Sequence, residues 1–265
     1  MTPDELLRIY HARYPGATAA AFAGGRMADG RSSYQLLADL PAVGDRVLDL
    51  GCGDGHLLEL LAARGLRALV GIDMSTEELA AAARRKLPGA RLIETRAEAL
   101  PLPSGSIDWV LSHLAFMLMG EVDAVVGELA RVLRPGGRFA AVVGGGPGEE
   151  EDAFALFLRL FQGAYDQLAD KPPRLGDRRT RDAGGFAALF HPGSGFLAEI
   201  EESALSVRLD ADGQRVWDIL SAMYEMMFVP PDRAAALRAS FLAEAGGGQV
   251  RCAMRCRLLV ATRAT

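Results

Sequence analysis

A glycine-rich turn with two acidic residues close by is the strongest chemical signal in this 265-residue chain. The turn lies within VLDLGCGDG, residues 47–55, between a strand-like run and a helix-like run that begins at His56. Glycine lets a backbone approach a nucleotide-like ligand closely because it has no Cβ atom. Asp73 ends a second strand-like run about 20 residues after Gly51, a spacing that suits a carboxylate bound to a ribose diol.

Two familiar glycine-loop chemistries do not fit this turn. The dinucleotide pattern G-x-G-x-x-G needs glycine at position 56, where the chain has His56, and this argues against a nicotinamide oxidoreductase. A phosphate-binding P-loop needs G-K-[ST], which the sequence lacks there. The pattern present is D-x-G-x-G-x-G, in which Asp49 stands two residues before Gly51.

This pattern resembles the cofactor loop of Rossmann-like (class I) S-adenosylmethionine-dependent methyltransferases of the small-molecule type. Two more segments are similar to blocks of that family: LPLPSGSIDW, residues 100–109, and LRPGG, residues 133–137. The resemblance covers about residues 45–145. It implies S-adenosylmethionine as the cofactor and leaves the acceptor substrate open.

The resemblance also implies contacts for the polar half of the cofactor. Asp49 would bind the methionine ammonium, and the backbone of Gly51, Cys52 and Gly53 would pack against methionine and ribose. Asp73 would bind the ribose hydroxyls. The alternatives are a loop-orienting hydrogen bond for Asp49 and a plain helix cap for Asp73.

Further contacts are implied around the adenine and the methyl group. Met74 would pack on the adenine face or belong to the core, Ala97 and Glu98 would follow the adenine edge, and Ser112 would touch the methionine moiety. Arg96 departs from the family pattern, which commonly has Asp at that position. The contact from that Asp to the adenine amino group is therefore not carried over.

His113 is the best-placed ionisable residue for a catalytic general base. It directly follows Ser112 at the end of the fourth predicted strand, and its unperturbed pKa is near ~6.5. The alternatives are a polar residue at a strand end or a steric wall of the methyl pocket. Tyr10 and Tyr14 share one helix face, and one of them would close the site or pack against the sheet.

Strand-like and helix-like segments alternate through the first half of the chain. Strands are predicted near 46–50, 68–72, 91–95, 107–112 and 138–143, with helices between them. Such alternation is typical of a doubly wound, mostly parallel sheet. Residues 250–260 alternate between apolar and mostly polar side chains, as in a strand with one buried face. The family resemblance implies seven strands, with this last one antiparallel and inserted between its neighbours.

The sequence divides into four expected parts. Residues 1–44 form an N-terminal helical cap, residues 45–146 the cofactor-binding half, residues 147–195 a helical lid insertion, and residues 196–265 the closing strands and helices. The lid helices would cover the substrate or simply cover the sheet. The apolar run 213–228 is predicted as a helix that is either core or the wall of an adaptable apolar pocket.

Composition excludes several functional classes. A net charge of −5 and a pI near 5.5 argue against nucleic-acid partners, and RRTR at 178–181 fits a solvated loop better than a phosphate site. No apolar run reaches the ~20 residues of a membrane helix, and no signal core is evident, so we expect a cytoplasmic protein. The three cysteines form no C-x-x-C pair, so no metal site is predicted.

The sequence therefore predicts methyl transfer from S-adenosylmethionine to oxygen, nitrogen or carbon of a small, largely apolar molecule, such as a natural product. Two alternatives stay open. One is a cofactor-binding enzyme of the same fold that catalyses a cyclisation or rearrangement. The other is a non-catalytic binding subunit. The oligomeric state is not predicted.

Overall fold

A seven-stranded sheet organises the computed structural model, which describes residues 1–148, 151–246 and 248–265. The strands are β1 (Val47–Leu50), β2 (Leu69–Asp73), β3 (Ala90–Glu94), β4 (Ile107–His113), β5 (Leu133–Pro147), β6 (Phe196–Arg208), β7 (Ala211–Asp212), β8 (Gln249–Val250) and β9 (Ala253–Arg263). The main sheet has the order β3-β2-β1-β4-β5-β9-β6, and β7 pairs with β8 separately.

The strand directions confirm the predicted topology. Strands β1 to β5 are paired in parallel, and β9 runs antiparallel between β5 and β6. The strand order reverses between β1 and β4, which both leave the sheet at the same edge. In sheets of this kind ligands bind at such a switch point, beyond the carboxyl ends of the strands.

Ten helices flank the sheet within the described part of the chain. They are α1 (Pro3–Arg13), α2 (Ala17–Phe22), α3 (Ser33–Ala38), α4 (His56–Ala63), α5 (Thr76–Arg84), α6 (Val122–Val132), α7 (Ala153–Asp166), α8 (Ala183–Leu189), α9 (Gly213–Leu220) and α10 (Pro231–Ala245). Thr2 begins α1 with a capping box closed by Glu5. None of the helices described has the length and apolar character needed to cross a membrane.

Two apolar layers cover the two faces of the sheet. On one face Leu58 of α4, Phe157 of α7 and Phe241 of α10 belong to one buried cluster. On the other face Leu129 of α6 and Phe186 of α8 belong to a second cluster. The sheet is thus buried on both sides, which explains why its central strands read as nearly continuous apolar runs.

The expected lid, residues 147–195, divides in the structure. Its first helix, α7, packs with α9 and α10 and against β5 and β9, on the face of the sheet that α4 also covers. Its second helix, α8, packs on the opposite face, where Phe186 stacks with Phe139 at 6.1 Å between ring centroids. Residues 149 and 150 lie outside the described part of the chain.

The single helix predicted for residues 213–228 is wrong, because two shorter elements occupy this stretch. Helix α9 ends at Leu220, and a 3-10 helix follows at Tyr224–Phe228. The Tyr10 hydroxyl donates a hydrogen bond to the Ala222 carbonyl between them, and the Tyr10 ring packs on Tyr224. Contacts with the distant helix α1 therefore stabilise the break, which apolar periodicity cannot reveal.

Candidate cofactor and acceptor site

The glycine-rich loop lies at the switch point, between the carboxyl ends of β1 and β4. Gly51 has φ +74°, and a Cβ atom there would lie 2.5 Å from the Ala115 Cβ. Both the backbone conformation and the close approach therefore require glycine. The loop is held by Asp73, whose two carboxylate oxygens accept from the backbone N–H groups of Gly53 and Ser75, both at 2.9 Å.

Asp73 is not the cap of the following helix. The Ser75 hydroxyl fulfils that role, since it accepts from the Glu78 backbone N–H at the start of α5. Burial raises the pKa of Asp73, opposed by its two backbone hydrogen bonds. The side chain lines two adjacent pockets, of about 70 and 100 Å³. It therefore lies where one ligand would contact both pockets.

Two buried polar atoms in the smaller pocket are without a partner, and they are the two such side-chain atoms within the described ranges: Asp49 Oδ2 and His113 Nδ1. Asp49 is 1% exposed, and its pKa is raised well above the usual value by burial and then by the charge of Asp73. An unpaired buried carboxylate costs free energy unless a ligand supplies a donor.

His113 is fixed by Ser33 and Tyr34. Its Nε2 lies 2.9 Å from the Ser33 hydroxyl, and its ring stacks on Tyr34 at 3.6 Å between centroids. Burial, followed by the nearby His56, lowers the pKa of His113 to about 3. The imidazole is therefore neutral at physiological pH. If the Ser33 hydroxyl donates to Nε2, then Nδ1 carries the proton and faces the pocket as a donor.

The larger of the two pockets contains the residues assigned to the adenine. Met74, Ala97 and Glu98 line it. The unexpected Arg96 pairs with Glu98 at 3.0 Å and with Asp4 at 2.6 Å. Arg96 thereby connects helix α1 to the rim of this pocket. This gives a structural reason for arginine at a position where the family commonly has Asp.

Ser112 requires a correction. Its side chain is fully buried, donates to the Leu50 carbonyl at 2.9 Å and accepts from the Phe116 N–H at 3.0 Å. It lies on neither pocket lining. The structure gives Ser112 a positioning role between β1 and the segment after β4, in place of the predicted cofactor contact.

A chain of three polar side chains was missed by the sequence analysis. His11 Nδ1 lies 2.7 Å from a carboxylate oxygen of Glu78, and His11 Nε2 lies 3.1 Å from the hydroxyl of Tyr224. Glu78 is 2% exposed and also accepts from the Gly16 N–H at 2.9 Å. Burial raises the pKa of Tyr224 well above its usual value. The three residues belong to α1, α5 and the 3-10 helix after α9, and no local sequence signal connects them.

These three residues lie beside the pockets and the large cavity, where they could take part in a proton transfer. His11 lines both small pockets, while Tyr224 lines the smaller pocket and also a much larger cavity of about 810 Å³. Tyr224 therefore stands between the smaller pocket and the large cavity next to it. A carboxylate–imidazole–phenol chain of this kind can move a proton away from a reacting group.

The large cavity, here called the acceptor cavity, is mainly apolar. Its walls come from α1 and α2, from α7, from residues 172–175 and from residues 219–225. Apolar lining residues include Phe22, Met117, Phe154, Leu158, Phe161, Ile219, Met223 and Met254. Its volume lies within the range of ~300–1,000 Å³ typical of small-molecule sites. The described side chains offer no cluster that could hold a metal ion.

Comparison with known proteins agrees with this geometry. Residues 48–141 match the family model described as "Methyltransferase domain". The malonyl-[acyl-carrier protein] O-methyltransferase of Methylococcus capsulatus is 37% identical over 132 residues, which cover 47% of this chain and 48% of that protein. The chain thus spans about half the length of this curated relative.

Solved structures of low sequence identity share the fold. A putative type II methyltransferase from Anaeromyxobacter dehalogenans has a TM-score of 0.63 and 21% identity, covering 87% of this chain and 94% of that one. The [4+2]-cyclase SpnF has a TM-score of 0.59 and 19% identity, covering 98% and 94%. Residues 48–141 thus match a methyltransferase domain, and the chain shares the Rossmann-like fold of these solved structures.

Proposed function

We propose that this protein transfers the methyl group of S-adenosylmethionine to a small molecule held in the acceptor cavity. One observation carries the proposal: the two unpaired buried polar atoms, Asp49 Oδ2 and His113 Nδ1, line the same glycine-walled pocket. When bound, the cofactor supplies an electrophilic methyl group on a sulfonium. The protein's tasks are to bind, to align the acceptor and to exclude water.

The two unpaired atoms fit the two charges of a methionine tail. Asp49 Oδ2 accepts from an ammonium, and His113 Nδ1–H donates to a carboxylate when Nε2 accepts from Ser33. This is a binding role for His113, in place of the general base that the sequence suggested. The general-base role stays a prediction, weakened by a pKa lowered to about 3.

The Glu78–His11–Tyr224 chain is the better proton acceptor for an acceptor molecule with an ionisable O–H or N–H. The acceptor's proton passes to the Tyr224 oxygen while the Tyr224 hydroxyl proton passes to His11 Nε2. Glu78 stabilises the resulting imidazolium. The electron pair freed on the acceptor would then take the methyl group that S-adenosylmethionine supplies, with S-adenosylhomocysteine as the leaving group.

The remaining cofactor contacts follow from the pocket linings. Asp73 binds the ribose hydroxyls at the junction of the two small pockets, and Gly51, Cys52 and Gly53 supply the backbone beside it. Met74, Ala97 and Glu98 surround the adenine. The apolar walls of the acceptor cavity support an acceptor with a large apolar body.

The first test is calorimetric titration of the protein with S-adenosylmethionine and S-adenosylhomocysteine, with Asp73→Ala in parallel. We expect the wild type to bind both and the variant to lose most of the affinity. A panel of apolar acceptors is then incubated with S-adenosylmethionine and analysed by mass spectrometry. Products heavier by one methylene unit support the proposal. A product of unchanged mass, with the cofactor intact, would identify a cyclase or isomerase instead.

A further inference from the structure

The acceptor cavity contains an arginine without an acidic partner. Arg181 lines the cavity and is partly buried. Its guanidinium contacts only the carbonyl oxygens of Met117 and Leu175, at 3.5 and 3.4 Å, the outer limit of a hydrogen bond. Among the described residues, no carboxylate lies within ion-pair distance of it. A half-buried cation with such weak partners is costly, because burial removes part of its hydration and no carboxylate compensates for that loss.

Arg179, two residues earlier, shows the opposite arrangement. Its guanidinium donates to both Asp177 and Asp123, the latter through two hydrogen bonds of 3.1 and 2.8 Å. The same short segment therefore contains one arginine that is ion-paired with two carboxylates and one that has no carboxylate partner. The arginine without a carboxylate partner is the one whose side chain lines the cavity.

The charged side chains that line the cavity give it a net positive charge. Arg174 also lines the cavity, close enough to lower the pKa of Arg181, after the larger effect of burial. Glu225 lines the cavity as well and acts in the opposite direction. These three are the charged side chains that line the cavity in the described part of the chain. Two cations and one anion leave room for one further negative charge.

We propose that the acceptor carries an anionic group, a carboxylate or a phosphate ester, which binds Arg181 with support from Arg174 while its apolar body fills the cavity. This rests on the proposed function only in treating the cavity as the acceptor site. Guanidinium groups bind both oxyanions through paired N–H donors. Glu225 sets a limit, because it repels a second negative charge and so favours acceptors with a single anionic group.

The test uses probes that differ only in the head group. Protein saturated with S-adenosylhomocysteine is titrated calorimetrically with dodecanoate, dodecyl phosphate and 1-dodecanol, all below the concentrations at which they aggregate. We expect one anionic probe or both to bind about 10-fold or more tightly than the alcohol, the effect of a charge-assisted hydrogen bond. The anion that gains more identifies carboxylate or phosphate as the native group.

Two variants assign that preference to Arg181. Arg181→Gln should reduce the advantage of the anionic probe to within about 3-fold, while S-adenosylhomocysteine binding stays intact and shows that the variant is folded. Arg178→Gln is the matched control, because Arg178 is exposed in the same segment and does not line the cavity. It should keep the full preference. Glu225→Gln should tighten binding of the anionic probe.

Three results would overturn the proposal. They are equal affinity of the wild type for alcohol and acids, no detectable binding of any probe, or an Arg181→Gln variant that keeps its preference for the anion. Each is separable from failure of the proposed function, because the cofactor titration reports on Asp49, Asp73 and the glycine-rich loop independently of the cavity.

Discussion

The cofactor pockets and the acceptor cavity are built in opposite ways. The cofactor pockets are small and lined mostly by strand ends and the loops that follow them, where backbone groups and a few carboxylates meet. The acceptor cavity is several times larger and is walled by helices from both ends of the chain. Most of these helices lie outside residues 48–141, the part that matches the family model. One region is thus fixed by sheet topology and the other by helix packing.

The Tyr224 hydroxyl lies where the two regions meet, and its loss should have the largest effect. Tyr224→Phe and His11→Gln should each lower kcat by about 100-fold or more with an acceptor that must lose a proton, the usual size of general acid–base catalysis. The measurement is steady-state kinetics with the acceptor that the screen identifies, together with S-adenosylhomocysteine titration of both variants.

A purely structural role for Tyr224 predicts a different pattern. It would raise the KM for the acceptor or weaken S-adenosylhomocysteine binding and leave kcat within a few-fold of the wild type. Tyr14→Phe is the matched control, since Tyr14 lies at the exposed end of α1 and contacts neither pocket nor cavity. A small kcat effect in both Tyr224→Phe and His11→Gln would transfer the proton-acceptor role to another group.

A substitution at Asp49 should change cofactor binding and leave the acceptor cavity unaffected. Asp49→Asn should weaken S-adenosylmethionine binding by about 10- to 100-fold, because a charge-assisted hydrogen bond becomes a neutral one. Wild-type affinity should rise with pH, since the pKa of buried Asp49 is raised and the ammonium binds only its ionised form. Calorimetry in buffers of different ionisation enthalpy should detect the released proton, and this release should disappear in the variant.

The contribution of Asp49 to the unfolding free energy should fall as pH rises, which is opposite to the pH dependence of cofactor affinity. The raised pKa means that the folded protein holds a proton which the unfolded chain releases above its ordinary value near ~3.9. The unfolding free energy contributed by Asp49 is therefore present at low pH and declines as pH rises through the folded-state pKa. Unliganded Asp49→Asn should equal or exceed the wild type in thermal stability at neutral pH. Lower stability with unchanged affinity would make Asp49 a loop-orienting residue.

The contrast between the two regions also explains what the sequence could predict. The turn at 47–55, the position of Asp73 and the period-two strand at the end of the chain are local patterns, so the sheet and the position of the glycine-rich loop followed from them, while the cofactor contacts stay a prediction. Ser112 was misassigned because position alone did not show that its hydroxyl bonds to Leu50 and Phe116. The break after α9, the His11–Tyr224 contact and the unpaired Arg181 depend on long-range packing, which no local pattern contains.

His113 gives a smaller effect and separates binding from catalysis. His113→Phe keeps an aromatic ring beside Tyr34 and removes the Nδ1 donor. We expect the Kd for S-adenosylmethionine to rise by about 10-fold, the lower end for a bond to a charged group. With saturating cofactor, kcat should stay within a few-fold. A kcat loss of 100-fold at unchanged Kd would restore the general-base role predicted from the sequence.

The pH dependence of stability gives an independent check on His113. Its folded-state pKa of about 3 lies below the unfolded value near ~6.5. The unfolded chain therefore takes up a proton that the folded protein excludes, and the unfolding free energy should fall as pH drops from about 6.5 towards 3. His113→Phe should show a shallower decline in chemical denaturation between these pH values. If the wild type and the variant show the same decline, the His113 ring takes up its proton in the folded protein as it does in the unfolded chain.

Asp108 at the opposite end of β4 should show the smallest effect. Arg46 binds its carboxylate through two side-chain hydrogen bonds of 2.8 and 3.1 Å, and Arg134 also donates to it. Arg46 holds the pKa of Asp108 well below its usual range. This stabilisation is present above the unfolded value near ~3.9 and is lost as pH falls below it. Asp108→Asn should cost about 1 kcal/mol of unfolding free energy at neutral pH, in the range of a surface ion pair. Cofactor and probe affinities should not change, because this end of the sheet contacts neither region. Altered cofactor affinity in Asp108→Asn would show that β4 couples its two ends, and the cofactor site would then depend on more than the switch point.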